Sequence, residues 1–238
     1  TGRSDKKECV LPNILWESLK KLNPTVEDKY LKEVYETLIA DYTETDINQT
    51  NYGLYKKIRE NVKVTFTNKQ GVEDFFFIKL VDFDNPGNND FTAVSQMWIK
   101  GKIIWRRPDI LIFINGMPMV FIELKNSTRK VEEAYSDNLT NYKKDIPNLF
   151  AFNQICVLSN GLETRLGAFN ASYDFFFEWL KVDSENEKPN RKQIYEDATS
   201  VYYFVKGLLK KEKLIDYIEN FVMFDNGKRL SKIIAKNH

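Results

Sequence analysis

Two apolar segments joined by a short turn decide the fold of this chain: Ile110-Leu111-Ile112-Phe113-Ile114, then Asn115-Gly116-Met117-Pro118, then Met119-Val120-Phe121-Ile122-Glu123-Leu124-Lys125. Branched and aromatic side chains on both sides of Asn-Gly predict a β-hairpin within a sheet. Arg106-Arg107-Pro108-Asp109 leads directly into the first segment. Charged groups on buried strands cost free energy unless they are paired or bind an ion, so Asp109, Glu123 and Lys125 are candidate functional residues.

The relative position of the two acids depends on the turn between the strands. A three-residue loop centred on Gly116, or an equivalent β-bulge, places Asp109 opposite Glu123, with Cβ atoms about 5 Å apart. A two-residue or four-residue loop would put the acids on opposite faces. We therefore predict the three-residue loop or the bulge. Two carboxylates this close repel, so at least one should have a raised pKa.

These residues have the chemistry of a site for a hard cation. Asp109 and Glu123, with waters and the Leu124 carbonyl, form an oxygen-only set that suits Mg²⁺. Lys125 follows Glu123 by two residues and lies on the same strand face, where it could orient a bound water. Such a site could hydrolyse a phosphodiester. A buried salt bridge between Lys125 and one of the acids is the alternative explanation.

The composition argues against several other kinds of site. The only histidine is His238, and the two cysteines, Cys9 and Cys156, are far apart in the sequence. A serine triad, a cysteine–histidine pair and a zinc site are therefore disfavoured. No apolar run approaches the roughly 20 residues of a membrane span, and the N-terminus has no signal-peptide core. We expect a cytoplasmic protein with no membrane partner.

Local charge around the candidate site favours phosphate binding, although the net charge of the chain is only +1. The segment from 100 to 130 has two acidic residues and seven basic ones, namely Lys100, Lys102, Arg106, Arg107, Lys125, Arg129 and Lys130. A solvated surface is the ordinary explanation of such a cluster. Its coincidence with the paired acids favours contact with nucleic-acid phosphates.

Helical and strand patterns surround the hairpin. Apolar spacing predicts helices within residues 13–60 and 129–144, and strands at 62–66, 75–83, 91–99, 103–114, 119–125, 155–158 and 164–169. This is an α/β pattern. A polar stretch at 181–192 predicts a linker, and 193–209 and 212–221 predict helices of a small C-terminal extension. We expect a domain at 1–180 and a helical connector at 193–238.

The spacing Pro108-Asp109, thirteen residues, Glu123-Leu124-Lys125 resembles the PD-(D/E)xK nuclease superfamily. More narrowly, a set of motifs resembles the N-terminal nuclease domain of the restriction (motor) subunit of type I restriction-modification enzymes. These motifs are Asp82-Phe83-Asp84-Asn85-Pro86, Asn89-Asp90-Phe91, Arg106-Arg107-Pro108-Asp109, Asn115-Gly116-Met117-Pro118, Glu123-Leu124-Lys125-Asn126 and Ser159-Asn160-Gly161.

The resemblance implies a mixed β-sheet flanked by helices and Mg²⁺-dependent cleavage of unmodified double-stranded DNA. It implies that Asp109, Glu123 and Lys125 are catalytic. It also implies methyltransferase and specificity subunits as partners, and ATP-driven translocation before cutting. No Gly-x-x-x-x-Gly-Lys-Ser/Thr motif occurs in the chain, so ATP would act through motor domains outside it. The ending, residues 232–238, resembles the lead-in to such a motor.

The family often has a glutamine and a tyrosine, four residues apart, on the helix after the lysine. Asn138 and Tyr142 stand at the corresponding positions here. The residues expected to bind DNA or support the site are Arg106, Arg107, Arg129, Lys130, Asn138 and Tyr142. Two alternatives remain: a nuclease fold retained for DNA binding or subunit docking without cutting, and a stand-alone repair or resolvase nuclease.

Overall fold

A six-stranded mixed sheet forms the centre of the protein. The computed structural model describes residues 2–183, 186–225 and 230–235. The helices are α1 (Pro12–Leu22), α2 (Asp28–Leu38), α3 (Ile47–Glu60), α4 (Thr140–Asp145), α5 (Arg191–Asp197), α6 (Ser200–Leu208) and α7 (Lys211–Asn220). The strands are β1 (Val62–Thr67), β2 (Glu73–Ile78), β3 (Phe91–Ser95), β4 (Ile99–Lys100), β5 (Trp105–Arg106), β6 (Ile110–Ile114), β7 (Met117–Leu124), β8 (Ile155–Ser159), β9 (Thr164–Gly167), β10 (Phe177–Glu178), β11 (Val222–Asp225) and β12 (Ser231–Ile234).

The strand order of the main sheet is β3-β6-β7-β8-β9-β10. Strands β7 and β8 are parallel, and the other neighbours are antiparallel. A parallel pair needs a crossover, and the crossover here contains a π-helical turn, Ala134–Leu139, followed by α4. The strands alternate between two apolar cores: on β8, Val157 faces one core and Leu158 the other. The expected α/β fold, a mixed sheet flanked by helices, is confirmed.

The turn of the β6–β7 hairpin is tighter than the predicted loop. Ile114 pairs with Met117, which leaves a two-residue loop of Asn115 and Gly116, both with positive φ. The register then shifts by one residue, because Met119 is an extra residue on β7. Pro118 has no N–H to give to the strand ladder, which favours a bulge at this point. The structure therefore has the bulge, the second form of the prediction.

Several residues of the sequence motifs hold this turn in place. The Asn115 side chain is buried; it accepts from the Asp90 amide at 2.8 Å and donates to the Leu80 carbonyl and to Asn89 Oδ1. Asn89 in turn bonds the backbone of Asp82 through its side chain. These motif residues therefore have a structural role, joining the 82–90 loop to the hairpin.

Two predicted strands are interrupted. The segment 91–99 breaks after Ser95, where Gln96 adopts a positive φ, and 103–114 breaks at Pro108. The freed residues form a separate two-stranded hairpin, β4–β5, in which Lys100 pairs with Trp105. Such a short pair has no periodicity that a sequence pattern could reveal.

The C-terminal part differs from the prediction in two details. The single helix expected over 193–209 is divided into α5 and α6 because Ala198 is left-handed and ends the first of them. A hairpin, β11–β12, follows α7 and was not predicted. Phe204 of α6 and Ile215 of α7 pack in the same core as Leu15 of α1. Residues 184 and 185 of the expected linker, and 236–238 of the expected motor lead-in, lie outside the described residues.

Lys232 on β12 is buried among polar groups. Its ammonium donates to Asn51 Oδ1 at 3.1 Å, to Gln154 Oε1 at 2.8 Å and to the Asn153 carbonyl. Burial holds the pKa of Lys232 well below its usual value. The C-terminal hairpin is thereby attached to the start of β8. Within the described residues, no helix combines the length and apolar character needed to span a membrane.

We predict that Gly116→Ala destabilises the protein much more than Gly71→Ala. Both glycines have positive φ, but a Cβ on Gly116 would lie 2.6 Å from the Leu15 amide nitrogen, whereas Gly71 has open space. Gly71→Ala should cost about 1 kcal/mol of unfolding free energy, and Gly116→Ala about 3 kcal/mol or more. Denaturant unfolding measures both, and equal losses would contradict the packing explanation.

Candidate active site

The three candidate catalytic residues lie at one end of the main sheet. Asp109 immediately precedes β6, Glu123 is on β7, and Lys125 follows β7. Continuing the register from the Ile110–Ile122 pair by one residue sets Asp109 opposite Glu123. The Leu124 amide donates to Asp109 Oδ2 at 2.8 Å, and the Lys125 amide donates to the Ser159 carbonyl at 2.7 Å. The backbone of both strands thus positions the acids and the lysine.

Asn138 connects Lys125 to Glu123. The Lys125 ammonium donates to Asn138 Oδ1, and Asn138 Nδ2 donates to Glu123 Oε1. Asn138 is part of the π-helical turn, in which the Thr140 amide bonds the Tyr135 carbonyl five residues earlier. A π-turn redirects the side chains of a helix, and such turns are frequent at functional sites. The structure contains no direct Lys125–Glu123 or Lys125–Asp109 ion pair among the residues it describes.

Glu123 is an unusually placed acid. Its side chain is 3% exposed, and Oε2 has no donor within hydrogen-bonding geometry among the described residues, although the Asp109 amide and the Tyr142 hydroxyl lie near the carboxylate. Burial raises the pKa of Glu123 to about 8, and the Asp109 carboxylate adds to the shift, while the Lys125 ammonium, the Asp109 amide and the Tyr142 hydroxyl oppose it. The expected rise in the pKa of one acid is confirmed. Its larger cause is burial rather than repulsion between the acids.

Tyr142 completes the enclosure of Glu123. It is buried on α4, and its hydroxyl lies 3.4 Å from the Arg107 carbonyl. Burial and the Glu123 carboxylate raise the pKa of Tyr142, so its hydroxyl stays protonated and able to donate. Asn138 and Tyr142 therefore both face the acids, as their spacing of four on a helix predicts.

The donor set fits a hard cation. A buried carboxylate oxygen without a partner, opposite a second carboxylate, is costly in the absence of a positive ion. No cluster of three or more His, Cys, Asp or Glu that could hold a metal occurs in the described part of the chain. Two carboxylates would therefore need backbone carbonyl, water or phosphate oxygens to complete the shell, which is usual for Mg²⁺. The Leu124 carbonyl remains a predicted ligand.

The four arginine and lysine candidates occupy different environments. Arg106 is partly buried; its Nε donates to Asp145 Oδ2 at 2.7 Å, and its guanidinium lies 5.6 Å from the centre of the Tyr142 ring. It thus supports the site from within the protein. Arg107 is exposed and lies over the Trp98 ring at 5.1 Å.

Arg129 and Lys130 lie in the loop that follows Lys125. Arg129 is paired with Glu133, one turn ahead of it, whereas the Lys130 side chain is exposed. Asn160 donates to the Arg129 carbonyl at 2.8 Å and so ties this loop to the turn after β8. The loop forms one wall of an open cavity of about 450 Å³.

The sequence did not reveal Asp145 and Trp98 as neighbours of the site. Asp145 pairs with Arg106 across 39 residues of sequence, and Trp98 lies beside Arg107 in the β4–β5 region. One signal was available for Asp145: it follows Tyr142 by three residues and so lies near the same helical face.

Comparisons with known proteins give the family of the chain. The family described as "Type I restriction enzyme R protein N terminus" matches residues 1–175. The chain belongs to this family. It is 34% identical to the "Type I restriction enzyme HindI endonuclease subunit" of Haemophilus influenzae, over 98% of this chain and 22% of that protein.

Two further relatives carry similar names. The MjaIXP protein of Methanocaldococcus jannaschii, named provisionally as an endonuclease subunit of a type I restriction enzyme, is 32% identical over 98% of the chain and 23% of its own length. The "Type I restriction enzyme EcoprrI endonuclease subunit" of Escherichia coli is 28% identical over 79% of the chain and 59% of that protein. The chain thus spans less than a quarter of the length of the Haemophilus influenzae and MjaIXP proteins, both of which are named endonuclease subunits.

We predict that Glu123→Gln stabilises the metal-free protein at high pH. The unshifted pKa of a glutamate is 4.5 and that of folded Glu123 about 8, so folded wild type loses stability as pH rises through this window. Glutamine has no charge to bury. The gain in unfolding free energy of Glu123→Gln over wild type should be small at about pH 5 and reach about 4 kcal/mol at about pH 9.

Denaturant unfolding in a chelator measures this difference. Glu132→Gln is the matched control because Glu132 is exposed on the neighbouring turn. A difference between Glu123→Gln and wild type that does not vary with pH would show that Glu123 has an ordinary pKa.

Proposed function

We propose that this chain is the DNA-cleaving module of a type I restriction enzyme endonuclease subunit, with Asp109, Glu123 and Lys125 as its catalytic residues and Mg²⁺ as its cofactor. The observation that carries the proposal is the unsatisfied, buried Oε2 of Glu123 opposite Asp109, beside a lysine held by Asn138. Membership of the restriction-enzyme family supports it. On this proposal the chain has the PD-(D/E)xK nuclease fold and cuts double-stranded DNA.

Each residue has a distinct task in phosphodiester hydrolysis. A bound Mg²⁺ would polarise the phosphoryl group and lower the pKa of a water. Asp109, fixed by the Leu124 amide, and Glu123, fixed by Asn138, would hold the cation, and Leu124 would contribute its carbonyl. Lys125 would place its ammonium beside the scissile phosphate and offset the charge that develops there.

The wider machinery is part of the same proposal, and membership of a type I restriction enzyme family supports it. We propose that the module acts inside the cell, in a complex with methyltransferase and specificity subunits. ATP would be used by motor domains of the longer protein, which would bring DNA to the site by translocation. The expected division into a nuclease domain at 1–180, a linker at 181–192 and a connector at 193–238 belongs to the same proposal.

The decisive experiment removes the lysine. Lys125→Ala in the complete restriction enzyme should reduce cleavage of unmodified plasmid DNA by about 1000-fold or more, and Asp109→Asn should do the same. ATP hydrolysis and DNA binding should be unchanged. Lys144→Ala is a matched control, since Lys144 is an exposed lysine on α4.

Persistent cleavage by Lys125→Ala would overturn the assignment and favour a module that binds DNA or docks a subunit. Cleavage without any ATP hydrolysis would favour a stand-alone repair or resolvase nuclease.

A second prediction concerns Asn138. Asn138→Ala removes the bridge between Lys125 and Glu123 and should lower the cleavage rate by about 10- to 100-fold, in the range of other residues that orient metal ligands. Asn138→Gln keeps the amide and should retain most activity. Cleavage rates of the two variants measure the effect, and their melting temperatures are measured alongside to show that both are folded. Equal rates for alanine and glutamine would remove Asn138 from the mechanism.

A further inference from the structure

The β4–β5 hairpin has one buried face and one exposed face. Ile99 and Arg106, paired across the hairpin, point inward: Ile99 is buried in the core and Arg106 bonds Asp145. The exposed positions are occupied by Trp98, Lys100, Trp105 and Arg107. Two tryptophans and two cations therefore share this exposed face, and the tryptophan side chains are 49% and 46% exposed.

The cations on this face lie against the aromatic rings. Arg107 is 5.1 Å from the centre of the Trp98 ring, and Lys100 is 5.9 Å from that of Trp105. The two rings meet edge to face at 6.5 Å. No carboxylate of the described residues pairs with Lys100 or Arg107, whereas Arg106 and Lys102 are paired with Asp145 and Glu44. Two positive charges thus remain available to an outside partner.

The tip of the hairpin is apolar. Ile103 is 92% exposed, and its neighbour Ile104 is 46% exposed. The base is fixed: Gly101 packs so closely that a Cβ there would lie 2.1 Å from the Asp145 carbonyl oxygen, and the Lys100 amide donates to Lys6. Ile103 therefore projects into solvent from the four-residue loop 101–104, whose first residue is packed against Asp145 and donates its amide to the Ile104 carbonyl.

We infer that this hairpin holds the DNA duplex beside the cleavage site, with Lys100 and Arg107 on phosphates and Ile103 inserted into the minor groove. Arg107 lies two residues before Asp109, so a phosphate bound there is close to the one that is cut. Alternating cations and aromatics suit a polyanion with apolar bases, and apolar side chains commonly enter the minor groove as wedges. A protein partner would leave two unpaired cations at the interface, which is unfavourable without matching acids.

The inference rests on the proposed function, and its first test is direct contact. In the complete restriction enzyme with Lys125→Ala, which prevents cutting, Ile103 is replaced by the photo-crosslinking residue p-benzoylphenylalanine. Irradiation with labelled duplex DNA should crosslink position 103 to DNA. Val72 is the matched control because it is a 59% exposed apolar residue at the turn of the β1–β2 hairpin. Crosslinking to another subunit, or no greater DNA crosslinking than at position 72, would overturn the inference.

The second test measures charge. Lys100→Gln with Arg107→Gln, in the enzyme with Lys125 intact, removes two phosphate contacts and should lower the cleavage rate about 10-fold at physiological salt. The salt dependence of log rate should become shallower by roughly two. ATP hydrolysis should be unchanged. An unchanged cleavage rate and salt dependence would overturn the inference while leaving the catalytic assignment intact, because that assignment depends only on the loss of cutting by Lys125→Ala.

Discussion

The geometry of the site depends on a single extra residue in one strand. Without the bulge at Met119, the register set by the Ile114–Met117 pair would continue along β6 and β7, and Asp109 and Glu123 would lie on opposite faces of the sheet. The Met119 carbonyl accepts from the Gln154 amide at 2.7 Å, so the segment just before β8 stabilises the bulge. Pro118 makes it less costly, because no ladder hydrogen bond is lost there.

The buried carboxyl group of Glu123 lowers the stability of the folded protein. A carboxyl group enclosed by β-strands and the crossover helix loses its water, and Oε1 accepts from Asn138 whereas Oε2 has no donor within hydrogen-bonding geometry among the described residues. A fold selected for stability alone would place an apolar residue at this position. The remaining oxygen is the atom through which Glu123 would bind the proposed Mg²⁺.

The sequence predicted the parts of this structure that depend on local patterns. Short apolar runs bounded by turn residues identified β6, β7 and β8, and the helical spacing of Asn138 and Tyr142 identified their common face. Contacts between distant segments were not accessible: the Arg106–Asp145 pair joins a strand to a helix 39 residues later. The burial of Lys232 was not predicted either, because a lysine in a charged stretch of sequence is normally exposed.

The turn of the hairpin reconciles two signals in the sequence. Asn-Gly favours a two-residue loop, and the position of the acids favoured a three-residue one. The structure satisfies both, because the loop has two residues and the predicted bulge supplies the extra residue further along the strand. A pattern of single residues cannot show where along a hairpin the extra residue lies.

The attachment of Lys232 has a mechanical meaning. Two of its acceptors, the Asn153 carbonyl and the Gln154 side chain, lie just before β8, and the third is Asn51 of α3. Glu123 pairs with Leu158, towards the other end of β8. A force applied to the chain beyond β12 would therefore reach the main sheet through the buried hydrogen bonds of Lys232 and not through a flexible linker. The load would be carried along β8, a strand with every residue buried, to the end where the acids lie.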